Sequence, residues 1–448
     1  MRNLLFFATM ATLLPMAVVR PFAGVLLWSW ISFMNPHREI WGSAANLPWA
    51  AMVLGGTLLG CVLAQEPRRL PINAVTLLLL LLVAIFTITT LVGLGEPVDA
   101  WAKWDRTAKM ILALLLTAAL LTDRHRLDAL IWLMVIAIGY YGVRGGAFTI
   151  LTGGSFRVLG PEATTIADNN HIGTAMLVAI PLMNYLRMHA RHRIVQIGLM
   201  AAMVLTLFAV VGTYSRGAFI ALGAVTLLLW WRSRRKLIGG LVIAACVAGA
   251  MAFMPQAWVA RMNSIETYEE DASATTRLKL WEASFRLAMD RPLVGSGFRG
   301  PYSQAAVDRV MPGGPARAVH SIWFEVLGEH GFPGFLAWLG LTVSGIWYSL
   351  RLSRLGRDHP GLQWAGDLGR MVGISILAYC IGGTFLSLGY WDFYWTLLVV
   401  AAAAHALALA ELRNELPAAP AARGWRAEPL PGAARARAAA PRAGTARA

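Results

Sequence analysis

Residues Val75–Ile88 read VTLLLLLLVAIFTI. A half-buried strand alternates apolar and polar side chains with period two, and a surface helix repeats its apolar positions every three to four residues. This run does neither, because it is apolar nearly all round. Extended outward to 73–94, it reaches the roughly 20 residues a helix needs to cross a bilayer. A membrane β-barrel would show alternating segments of about 10 residues instead. Similar stretches recur along the chain, at 3–19, 21–35, 49–65, 107–122, 127–143, 171–187, 194–212, 215–231, 237–254, 322–350, 370–388 and 391–411. The expectation is an all-α polytopic membrane protein with about twelve or thirteen spans.

Composition agrees. Of 448 residues, 57% are hydrophobic and 14% charged, where a soluble domain carries about 25% charged. The mean hydropathy is +0.57. These values exclude an ordinary soluble enzyme and a disordered chain. The net charge of +15 does not imply nucleic acid, because the positive residues cluster between apolar runs and in the tail. Arg68/Arg69, Arg124/Arg126, Arg187/Arg191/Arg193, Arg232/Arg234/Arg235/Lys236 and Arg351/Arg354/Arg357 follow every second span. By the positive-inside rule they mark the cytoplasmic side.

The outer connections are then 95–106, 144–170, the tight turn 213–216, the long loop 255–321 and the turn near 389. Thirteen spans put the N-terminus outside; twelve, with residues 1–35 partly re-entrant, put it inside. Met1-Arg2 and the run Leu4–Val19 read as a retained helix rather than a cleaved signal. Cys61, Cys246 and Cys380 lie in apolar stretches without metal-ligand spacing. The expected divisions are N-terminal helices at 1–190, a core at 191–412 that includes the loop 255–321, and a basic tail at 413–448. That tail, rich in Ala, Pro and Arg, is expected to be disordered.

Charged groups in a helical membrane protein are costly and mark candidate sites. Four clusters fall on the outer side. In Thr213–Gly217 (TYSRG), Arg216 offers a planar fork to phosphate oxygens or snorkels to lipid headgroups. Arg277 opens the segment Arg277–Arg291, with Leu278, Trp281, Phe285 and Ala288 at helical spacing. That helix either lies along the membrane interface or packs within a small loop domain. Glu266, Glu269, Glu270 and Asp271 precede it as a solvated charge run, and no metal site is expected. His320-Ser321 stands where the loop re-enters the membrane. An imidazole there serves as a general base, with Glu325 or Glu329 to orient it, or is a lone interfacial residue; His330 competes for the role. Finally, Asp168-Asn169-Asn170-His171 either caps the next helix or binds sugar hydroxyls.

His320-Ser321, nine residues, then Gly331-x-x-Gly334 resembles the H-[NSQ]-x9-G-x-x-G signature of O-antigen ligases. Ser215-Arg216-Gly217 resembles the arginine motif of the same superfamily, which includes O-antigen polymerases. Arg277 through Phe298 is similar to its outer-loop pattern, Arg-x-x-x-Trp followed by Pro-Leu-x-Gly-x-Gly. Asn35–Arg38 and Asp168–His171 resemble a narrower branch, the O-glycosylation ligases found with exosortase A systems in exopolysaccharide clusters.

The resemblance implies a GT-C-type glycosyltransferase fold with one large periplasmic loop in the bacterial inner membrane. The donor would be a glycan on undecaprenyl pyrophosphate and the acceptor a hydroxyl on a protein, lipid or saccharide. Arg216 and Arg277 would hold the pyrophosphate, His320 would be the catalytic base, and Asp168, Asn170, Ser321 and Glu325 would contact substrate. No metal or other cofactor is implied. A polymerase of the same superfamily and a transporter of lipid-linked glycan are the alternatives.

Overall fold

A computed structural model describes residues 1–233, 235–263 and 272–413. The acidic run Glu266–Asp271 and the tail beyond Arg413 lie outside the described residues. The structure is 78% helical with no strands among the described residues, as an all-α membrane protein requires, because helices satisfy every backbone polar group within the segment. The helices are α1 (Arg2–Val19), α2 (Pro21–Met34), α3 (Trp49–Leu63), α4 (Ala74–Leu91), α5 (Pro97–Leu120), α6 (Arg124–Leu151), α7 (Asn169–His189), α8 (Arg193–Gly212), α9 (Arg216–Arg232), α10 (Lys236–Phe253), α11 (Gln256–Asn263), α12 (Ala272–Asp290), α13 (Gln304–Asp308), α14 (Ile322–Asp358), α15 (Gln363–Gly383) and α16 (Asp392–Leu412).

Among the described residues eight helices are long and apolar enough to cross a membrane, and three shorter apolar ones accompany them. Polar N-terminal ends distinguish α5 and α7, which start with Asp99 and Lys103 and with Asn169-Asn170-His171. With these two, every expected span has its helix. Residues Met1–Ala408 form one compact unit.

The helices pack closely where small residues face a neighbour's backbone. On α6, Gly142 and Gly146 sit four residues apart, and a Cβ on either would collide with Thr206 or the Leu205 backbone of α8. Such small-xxx-small faces let backbones approach where lipid offers no hydrophobic drive.

Hydrogen bonds identify the two ends of the bundle. At one end, the Phe22 amide donates to Glu66, Arg126 pairs with Glu66 at 2.6 Å, and the Arg69 amide donates to Ala119 O. At the other, the Leu94 amide donates to Ser296 O, and Val158 to Gly212 O. Ser32 at the end of α2 bonds Asp392 at the start of α16 on this same end. Asn3 Oδ1 accepts from the Ala44 amide, in the loop that follows α2. The start of α1 therefore sits at the end that holds the long loop, as in the thirteen-span expectation, and α1 and α2 are separate antiparallel helices rather than one re-entrant segment.

On the helix in the long loop, Trp281 and Ala288 of the expected apolar face (Leu278, Trp281, Phe285 and Ala288) pack against protein, and Leu278 and Phe285 do not. The buried positions on α12 are Leu280, Ala283, Ser284, Leu287 and Ala288, while Leu278 and Phe285 are exposed. Ala283 and Leu287 pack on Ala306 and Val307 of α13. The helix carries two apolar faces, and contact with α13 and α14 decides which is covered.

Candidate functional site

The site rests on a helix broken by design of its sequence. Pro333 has no amide hydrogen, so the carbonyl of Glu329 loses its ordinary helical donor. Gly331 takes φ 62° and ψ −168°, a region open essentially to glycine alone. The Phe332 amide turns away to Pro292 O at 2.9 Å. The freed carbonyls of Gly328 and Glu329 are satisfied by the amides of Ser296 and Gly297, at 2.9 and 2.7 Å. A Cβ on Gly331 would meet Pro292 O at 2.6 Å, and one on Gly295 would meet the Gly331 nitrogen at 2.5 Å. The Pro292–Gly297 stretch and the Gly331/Gly334 pair are thus two halves of one clasp.

His330 lies inside that clasp. It is fully buried, its Nδ1 lies 2.6 Å from Thr89 Oγ1, and Phe86 and Phe298 rings sit 4.2 and 4.5 Å away. Enclosed on all sides, it cannot meet an acceptor and is a packing residue, not the competing base.

His320 is presented differently. Its backbone is left-handed, at φ 51°, and its amide donates to Ser387 Oγ at 2.9 Å. The preceding carbonyl, Val319 O, accepts from Trp281 Nε1 at 3.1 Å. Trp281 stacks on Phe324 at 5.4 Å and approaches Phe385 at 6.3 Å. Arg277 lies one turn before Trp281 on the same helix, so the Arg-x-x-x-Trp spacing brings a guanidinium to the imidazole that the tryptophan anchors. Burial first, then the charge of Arg277, pushes the His320 pKa below its ordinary value; His171 and Arg317 add to this and Asp168 opposes it.

The arginine turn adjoins from the other side. Ser215 caps α9 by accepting from the Ala218 amide at 3.1 Å, which sets Arg216 in the first helical turn. Tyr214, left-handed at φ 58°, donates its hydroxyl to Gly154 O at 2.6 Å. Asn169 Nδ2 donates to Thr213 O at 2.7 Å, tying the start of α7 to this turn. A side chain at Gly217 would lie 3.6 Å from the Phe385 ring, the same ring that borders Trp281. One bundle end therefore gathers Arg216, Arg277, His320, Asp168 and Asn170.

Asp168 caps α7 through the Asn170 amide at 2.8 Å and also accepts from Asn170 Nδ2 and His171 Nδ1, at 2.8 and 3.3 Å. Burial raises its pKa, but these hydrogen bonds outweigh burial and hold its carboxyl well below the usual range. Ser321 and Glu325 are placed differently from the substrate-facing expectation. Ser321 is fully buried at the start of α14. Glu325 is buried and bonds Lys103 Nζ at 3.0 Å and the Gly389 amide at 3.2 Å, not His320.

Sequence reasoning passed over Lys103. It also bonds Glu329 at 2.9 Å, and Tyr390 donates to that carboxylate at 2.8 Å. Lys103 stands in the polar opening of α5, among Asp99, Asp105, Arg106 and Lys109, so nothing in the local sequence marks it out. Among the described residues no group of three or more His, Cys, Asp or Glu converges as a metal site.

Residues 201–339 match the model of the O-antigen ligase family. The matched stretch holds Arg216, Arg277, His320 and both halves of the glycine clasp, and it supports the superfamily resemblance and a membrane ligase or polymerase type of activity. Residues 1–191, which carry Asp168, His171 and Lys103, match a family of unknown function (DUF5935). No curated protein matches the chain.

Proposed function

We propose that the protein is a membrane glycosyltransferase of the ligase type. It moves a glycan from undecaprenyl pyrophosphate to an acceptor hydroxyl on a protein, lipid or saccharide, at the periplasmic face of the inner membrane, as part of an exosortase A-associated exopolysaccharide system. The observation that carries the reading is the meeting of His320 with Arg277 and the Arg216 turn at one end of an apolar bundle. The same proposal divides the chain into N-terminal helices 1–190, a ligase-like core 191–412 with loop 255–321, and a tail 413–448.

In the mechanism, His320 takes the proton of the acceptor hydroxyl. The acceptor oxygen attacks the anomeric carbon from the face opposite the leaving group, so a single displacement inverts that centre. The bond to the pyrophosphate oxygen breaks, and its electron pair leaves with the phosphate. Arg216 and Arg277 neutralise that developing charge with planar, preorganised donors. Their fixed charges support a reaction that needs no metal. Arg277 serves twice, because its charge also keeps His320 neutral and ready to accept a proton. Asp168 and Asn170 stand where acceptor hydroxyls would be read, while Ser321 and Glu325 shape the site from beneath.

The test uses purified protein, an undecaprenyl-pyrophosphate glycan and a panel of acceptors, run beside His320→Ala. Products are resolved by size and released polyprenyl pyrophosphate is counted. One discrete glycosylated acceptor, lost in the variant, is the expected result. A ladder of lengthening glycan would identify a polymerase, and turnover unchanged in the variant would remove His320 as the base.

A further inference from the structure

An imidazole that works as a base is usually aimed through its second ring nitrogen, by a carboxylate or a carbonyl. His320 has no such holder among the described residues. Its hydrogen bond is made by the backbone, from its amide to Ser387 Oγ at 2.9 Å. Glu325 and Glu329, the carboxylates near enough in sequence to orient the ring, both turn to Lys103. The backbone at His320 is left-handed, at φ 51°, a conformation that a residue with a side chain keeps only where its surroundings fix it. The direction of the ring is therefore set by whatever fixes the backbone.

That role falls to the link between α15 and α16. Residues 384–391 form no helix, yet the link is tied down along its length. Trp323 Nε1 donates to Thr384 Oγ1 at 2.9 Å, and the Tyr379 hydroxyl donates to Leu388 O at 2.8 Å. Gly389 is held from two sides. Its carbonyl accepts from Trp338 Nε1 at 2.8 Å, and its amide donates to Glu325 Oε2 at 3.2 Å. A Cβ there would lie 2.9 Å from Val326 and 3.3 Å from that carboxylate oxygen. The Tyr390 hydroxyl then donates to Glu329 at 2.8 Å. Ser387 sits within this strap, two residues before Gly389.

The two carboxylates under the strap are fixed in turn by Lys103. Its ammonium lies 3.0 Å from Glu325 Oε1 and 2.9 Å from Glu329 Oε1, and 4.5 Å from the centre of the Tyr390 ring. Two buried acids one helical turn apart keep their places only with a cation to compensate them. Lys103 thus braces Gly389 and Tyr390 together.

We propose that Ser387 and Lys103 are positioning residues for the base: Ser387 holds the His320 backbone directly, and Lys103 holds Ser387 in place through Glu325 and the Gly389 amide. The proposal rests on the glycosyl-transfer reading above, in which His320 takes the proton. When the strap is loosened, the imidazole leaves the charge of Arg277 and binds protons more tightly. Arg216 and Arg277 stay where they are, so donor binding does not change.

The test compares full-length wild type, Ser387→Ala, Lys103→Met, the double variant and His320→Ala in lipid nanodiscs. Three quantities are read: transfer kinetics against pH, the melting midpoint, and the pH midpoint for carbethoxylation of His320 by diethyl pyrocarbonate, followed by mass spectrometry. The last does not need turnover. Ser387→Ala should lower kcat about tenfold, with the donor KM and the melting midpoint near wild type. Lys103→Met should lower the melting midpoint and, at temperatures where it is folded, lower kcat about 100-fold. In both, the acidic limb of the pH–rate profile and the carbethoxylation midpoint should move up toward about pH 6.5. The double variant should be little worse than Lys103→Met alone, because both changes act on one strap. Should Lys103→Met not fold, Lys103→Met with Glu329→Gln, which leaves one fewer uncompensated carboxylate, takes its place.

Wild-type kcat with an unmoved carbethoxylation midpoint in Ser387→Ala would overturn the proposal. Losses that multiply in the double variant would remove Lys103 from it. A shifted midpoint in Ser387→Ala together with full turnover in His320→Ala would leave the strap standing and remove His320 as the base.

Discussion

At the scale of the residue, the chemistry depends on how a few side chains are charged. His320 is held below its ordinary pKa by burial and by Arg277. A base works while deprotonated, so transfer should persist through neutral pH and fail only as pH falls through that lowered value. Arg317→Gln removes one neighbouring charge outside the proposed pyrophosphate clamp. It should move the acidic limb of the pH–rate profile toward neutrality with little loss of rate at pH 8. Arg216→Lys keeps the charge and loses the fork. Transfer should drop about 100-fold or more, by analogy with removal of one preorganised donor, with protein levels in the membrane unchanged. His330, by contrast, was separable from His320 only in three dimensions: both are histidines near a glycine motif, but one is sealed among Phe86, Phe298 and Thr89.

At the scale of the element, the broken α14 is the part that folding must assemble correctly. Gly331→Ala forces a Cβ into Pro292 O in a glycine-only conformation. The strain alone is of order 1–3 kcal/mol, so the melting midpoint in detergent should fall and transfer with it. Lys103 is the counter-charge for Glu325 and Glu329 beneath the same helix. Lys103→Met leaves buried carboxylates unpaired, at a cost of about 3–5 kcal/mol. The double change Lys103→Met with Glu329→Gln should recover part of that midpoint, and no recovery would mean that the pair is not the source of the loss. The sequence displayed the glycines, the proline and the lysine. It did not show that the loop 292–297 supplies the amides that the break leaves wanting, because those partners lie more than thirty positions away. Helical spacing on α12 likewise showed one apolar stripe, but not that α13 and α14 cover a second one beside it.

At the scale of the whole molecule, the start of α1 lies with the loop 35–48 and shares an end with the site. Single cysteines placed at Asn3 and Gln304, on a background lacking the native cysteines, should be labelled from the same side of intact membranes by an impermeant reagent. A cysteine at Arg191 should be labelled only after the other side is exposed. Opposite labelling of positions 3 and 304 would restore the twelve-span arrangement. Transfer should also survive chelation by EDTA, a result that strict dependence on magnesium or manganese would reverse.

The primary structure alone determined the fold class, because continuous apolar runs such as Val75–Ile88 have no stable solution in water or as an open sheet. It also determined which residue types stand at the outer ends, since a charge near a bilayer is expensive enough to be conspicuous in a chain only 14% charged. The tertiary structure decided which of those residues meet. Arg216, Arg277, Asp168 and His320 come from four separate parts of the chain, and their approach depends on Trp281 anchoring Val319, Asn169 anchoring Thr213 and Ser387 anchoring His320. Hydropathy is a local property and can be summed along a window; a hydrogen bond between distant loops is not, so only folding reveals it.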